Sequence, residues 1–70
     1  MLALTASIYD VTAIESAVEL FADFGTFEWE REPVDGYYNL KIESADDVEL
    51  AELLGEFGNF VLTKTLETRH

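Results

Sequence analysis

The chain has 70 residues, no cysteine, and 15 Asp and Glu against 4 Lys and Arg, for a formal net charge of −11. This length supports one domain that buries roughly 60% of its unfolded surface, a thin core without disulfides, while an apolar content near half argues against disorder. The charge argues against direct contact with nucleic acid or anionic lipid, no apolar run approaches the roughly 18 residues of a membrane span, and "MLALTASIYD" has no basic region to open a signal peptide, so a cytoplasmic protein is expected.

Residues 2 to 9 alternate, with Leu2, Leu4, Ala6 and Ile8 on one side and Ala3, Thr5, Ser7 and Tyr9 on the other, the period of a half-buried strand. Thr12 with Glu15 has the spacing of a capping box, and Ile14, Ala17, Val18, Phe21 and Phe24 recur at helical spacing. A helix is therefore expected near 12 to 24, closed by Gly25 in the left-handed conformation. "TFEWERE" alternates again and predicts a strand near 26 to 32, with Phe27 and Trp29 opposite Glu28, Glu30 and Glu32.

Pro33 and Gly36 in "PVDG" mark a tight turn, after which "YYNLKIE" predicts a strand near 37 to 43 with Tyr38, Leu40 and Ile42 inward. Ser44 and Asp47 suggest a cap for a helix near 45 to 57, striped by Leu50, Leu53, Leu54 and Phe57 and stopped by Gly58. A last strand is expected near 59 to 66, with Phe60, Leu62 and Leu66 inward.

"DFGTF" at 23 to 27 and "EFGNF" at 56 to 60 lie 33 residues apart. Aligned on them, the chain divides into two strand–helix–strand halves, about 1–32 and 36–68. Two such units predict an α+β fold, a ferredoxin-like βαββαβ sandwich with a four-stranded antiparallel sheet and two helices on one face. The core expected from this frame is Leu4, Ile8, Ile14, Val18, Phe21, Phe24, Phe27, Trp29, Leu40, Ile42, Leu50, Leu54, Phe57, Phe60 and Leu62.

Little here suggests catalysis. The one histidine is His70, at the C-terminal end of the sequence, where side chains are more often disordered than functional, and no hydroxyl has an evident base. Asp23-Phe24-Gly25 matches a kinase metal motif, but the other kinase elements are missing and the match is chance. The row Glu28, Glu30, Glu32 shares one strand face, yet a straight row diverges where a hard cation needs converging oxygens. No cofactor, metal or enzymatic activity is expected.

The sheet face away from the helices should carry Ala3, Thr5, Ser7, Tyr9, Tyr37, Asn39, Lys41, Val61, Thr63 and Thr65. Such a face in ferredoxin-like modules can stack RNA bases, but here Lys41 is its one cation and glutamates flank it. A protein is the expected partner, either a peptide or a second copy packed sheet to sheet. The candidate contacts are Tyr9, Tyr37, Asn39 and Lys41, with Glu28, Glu30 and Glu32 on the neighbouring strand. The acidity fits plain solubility, a basic partner or high-salt adaptation. It also fits mimicry of nucleic acid by an inhibitor that uses Glu15, Glu19, Asp23, Glu49, Glu52 and Glu56 as well. A dimeric small-molecule sensor is a further alternative.

Residues 7 to 21, "SIYDVTAIESAVELF", resemble the opening of the HxsD family through Ser7, Tyr9, Ala13, Ile14, Ala17 and Phe21. "EFGNFVL", with Asn59 and Leu62, resembles a later segment, although Thr63 and Lys64 stand where that family has Arg-Glu. The resemblance implies an accessory protein of peptide-maturation systems built around radical SAM enzymes, and it implies no catalytic residue.

Overall fold

The computed structural model describes residues 2–68, in the order β1 (Leu2–Thr5), α1 (Val11–Leu20), β2 (Gly25–Trp29), β3 (Tyr37–Ser44) and α2 (Leu50–Thr68). The fold is α+β, with a three-stranded antiparallel sheet ordered β1-β3-β2. β1 and β2 both run antiparallel to β3, so β1, α1 and β2 form a split β-α-β unit around it. The fourth strand expected over residues 59–66 is not present, because that stretch is the second half of α2.

β1 is shorter than its alternation suggests. After Thr5 the chain turns, and the Thr5 carbonyl accepts from the amides of Ile8 (3.1 Å) and Tyr9 (2.9 Å). Ile8, expected in the core, is consequently exposed. α1 is capped two residues earlier than expected. Asp10, with extended backbone, accepts from the Thr12 amide at 3.2 Å, so the Thr12–Glu15 box is not the cap. The helix ends at Leu20, and Phe24 lies in the turn beyond it, exposed where the repeat places it inside.

Gly25 does not adopt the left-handed conformation; among the described glycines only Gly36 has a positive φ. What Gly25 supplies is closeness, since a Cβ there would sit 2.5 Å from the Glu43 carbonyl oxygen. The β2–β3 connection closes on Asp35 and Gly36, both at positive φ, with Val34 and Tyr37 exchanging amide–carbonyl bonds of 2.9 and 3.0 Å. This is the dihedral requirement of a type I′ hairpin, for which Asp-Gly is a favoured pair. Pro33 lies outside the turn that was expected to contain it.

β3 is the central strand and alternates strictly: Tyr38, Leu40 and Ile42 are buried, while Tyr37, Asn39, Lys41 and Glu43 are exposed. The buried set joins Leu4 with Ala13, Ile14 and Ala17 of α1 and Leu53, Phe57 and Val61 of α2 in one core. Both helices thus cover the same sheet face. Val18, Phe21, Phe27, Trp29, Leu54 and Phe60, all expected inside, are half-buried against this core. Phe27 stacks on Phe57 at 5.1 Å, and Trp29 meets Tyr38 edge-on at 6.3 Å.

α2 begins at Leu50, since Ser44 is still paired in β3 opposite Gly25. Gly58 does not stop it. Leu53, Phe57, Val61 and Thr65 recur every fourth residue and are all buried, a stripe that holds the helix against the core through its second half. Val61 and Thr65 are therefore inside and not on the open face, while Leu50 and Leu62, expected inside, are exposed. The Thr65 hydroxyl accepts from the Asp10 amide at 3.1 Å and joins the far end of α2 to the cap of α1.

Candidate binding face

With both helices on one side, the other side of the sheet is uncovered. Register decides its composition. On β1 and β3, Ala3 lies opposite Asn39 and Thr5 opposite Tyr37; on β3 and β2, Lys41 lies opposite Glu28 and Glu43 opposite Thr26. These positions alternate with the buried ones, so a step of one residue separates core from open face.

Most of the expected contact residues converge. Glu28, Glu30, Glu32, Asn39 and Lys41 line one hollow of about 400 Å³ together with Trp29 and Val34. Tyr37 stands on the same face of β3, two residues before Asn39 and opposite Thr5 of β1, with 46% of its surface exposed. Tyr9 separates from this group, because β1 ends at Thr5 and the tyrosine is half-buried against the core cluster. Val34, half-exposed beside the hairpin, is a wall residue that alternation did not single out. The Asp35-Gly36 pair was the available signal, since a two-residue turn there places Val34 next to Tyr37 at the strand end.

The hollow is electronegative, with three carboxylates against one ammonium. Lys41 faces Glu28 in register and makes no ion pair among the described residues, where the ion pairs are Arg31–Glu15 and Lys64–Glu67. An incoming cation therefore meets a hollow of net negative charge, three carboxylates against the Lys41 ammonium. No group of three or more metal-ligating side chains occurs among the described residues, and His70 lies outside them. No helix among them is long and apolar enough to cross a membrane. No protein-family model, curated protein or solved structure matches the chain.

Proposed function

We propose that this protein is a non-enzymatic, cytoplasmic binding module whose open sheet face takes a protein or peptide. The observation that carries the reading is the one-sided sheet: Tyr37, Asn39 and Lys41 form a row beside an acid-lined hollow, on a face that no helix covers. An extended or loop segment bearing basic side chains suits such a surface, because its cations meet Glu28, Glu30 and Glu32 while its apolar groups rest on Tyr37 and Val34. The likeness of residues 7–21 to HxsD proteins supports a partner among peptide-maturation components. Without a partner, a second copy packs on the same face around a twofold axis, opposed by the net charge of −11 and therefore favoured by salt.

The test is capture from the native host with the wild-type protein and a Tyr37→Ala, Asn39→Ala double variant, with Glu19→Gln on α1 as control. The double variant is expected to lose at least about tenfold in affinity for the captured protein, and the control to keep it. Capture that survives the double variant removes the sheet face from the proposal. Capture that added DNA displaces in both proteins favours the nucleic-acid-mimic alternative instead.

A further inference from the structure

A second concavity lies where α1 hands over to β2 and α2 begins. It measures about 220 Å³ and is lined by Phe21, Phe24, Val48, Glu52, Leu53 and Glu56. Its aromatic wall is fixed. The Phe21 ring contacts Phe24 at 6.0 Å, Phe57 at 6.0 Å and Phe60 at 5.9 Å. The Phe24 backbone is pinned on both sides, its amide donating to the Phe21 carbonyl and its carbonyl accepting from the Ala45 amide, each at 2.9 Å. Phe24 nevertheless leaves 46% of its surface to solvent, although Phe21 beside it is half-buried.

Two carboxylates stand on this apolar floor. Glu52 and Glu56 are one helical turn apart on α2, both line the cavity, and neither forms an ion pair among the described residues. Arg31 and Lys64 are engaged with Glu15 and Glu67, and Lys41 lines the other hollow. The aromatic wall suits the apolar body of a ligand, and two carboxylates on the same side, without an ion-pair partner among the described residues, attract a cation. A bare metal ion is a poor occupant, since two carboxylates on an apolar floor leave most of its coordination sphere unfilled. The volume falls below that of a drug-sized pocket and matches a single ring or a short aliphatic body.

We propose that this cavity binds a small organic cation, an ammonium group carried on one aromatic or aliphatic body. The body lies between Phe24, Val48 and Leu53, and the ammonium faces Glu52 and Glu56. The site is separate from the open sheet face, so it stands or falls independently of the partner proposed there.

Phenethylamine is the probe, and 2-phenylethanol its uncharged counterpart, each titrated into the full-length protein and followed by ¹H–¹⁵N NMR. An open site of this size should hold the amine with a Kd on the order of 1–10 mM, with saturable shifts at residues 21–24, 48 and 52–56. The alcohol and the Glu52→Gln, Glu56→Gln double variant should each bind at least about tenfold more weakly, and binding should fall as salt rises. Both glutamates are exposed, so the variant keeps the core intact and its unperturbed spectrum verifies the fold. Absence of saturable shifts at these residues overturns the site. Equal binding of amine and alcohol, or an undiminished double variant, overturns its selectivity for a cation.

Discussion

Phe24 and Phe57 occupy the same place in the two copies of the five-residue motif, yet one is 46% exposed and the other fully buried. Their neighbours explain the difference. Phe57 lies mid-helix between the stacked ring of Phe27 and the edge of Phe21, whereas Phe24 sits beyond the end of α1 with Phe21 as its ring partner. Truncation should separate them. Phe57→Ala is expected to cost about 3–5 kcal/mol and Phe24→Ala less than about 1.5 kcal/mol. Urea denaturation of both variants measures this, and equal large losses would mean that the two motif copies share one environment. The burial of Phe57 was legible in the sequence and that of Phe24 was misread, because burial depends on which element each copy falls in.

The same contrast governs the glycines that follow those rings. Gly25 lets β2 approach the Glu43 carbonyl of β3, where a Cβ would meet that oxygen at 2.5 Å. Gly58 is inside α2, with nothing within 4 Å of the Cβ it lacks. Gly25→Ala should therefore destabilise the protein by about 1–3 kcal/mol, since backbone must move. Gly58→Ala should stabilise it by about 0.5–1 kcal/mol, because alanine is the better helix former and has room. Thermal melts of the two variants shifting in the same direction would contradict these assignments. The first five elements were readable from period and turn chemistry, with ends displaced by local bonds such as the Asp10 cap. The sixth was misread for a physical reason. Phe60, Val61, Thr63 and Thr65 favour strands singly, but the strand reading puts Lys64 on the inward face. The helical reading instead buries Leu53, Phe57, Val61 and Thr65 in one stripe, and tertiary burial outweighs local propensity.

At the scale of the whole molecule, the fate of residues 59–66 determines what the open face is made of. As a fourth strand they would extend it with Val61, Thr63 and Thr65. As helix they leave it to Ala3, Thr5, Tyr37, Asn39, Lys41 and the acidic side chains of β2 and its extension, and they tie α2 to α1 through Thr65 and Asp10. Composition and periodicity made the one-sided sheet and most of the acidic row legible, whereas the loss of Tyr9 from it came from the early end of β1. The molecule is thus a three-stranded sheet with both helices on one face and α2 running to Thr68. Backbone ¹³C chemical shifts of residues 59–66 test it most directly: helical displacements through Leu66, with amide contacts one helical turn apart, are the predicted result, and strand-type shifts with cross-strand contacts to Leu2–Thr5 would contradict it.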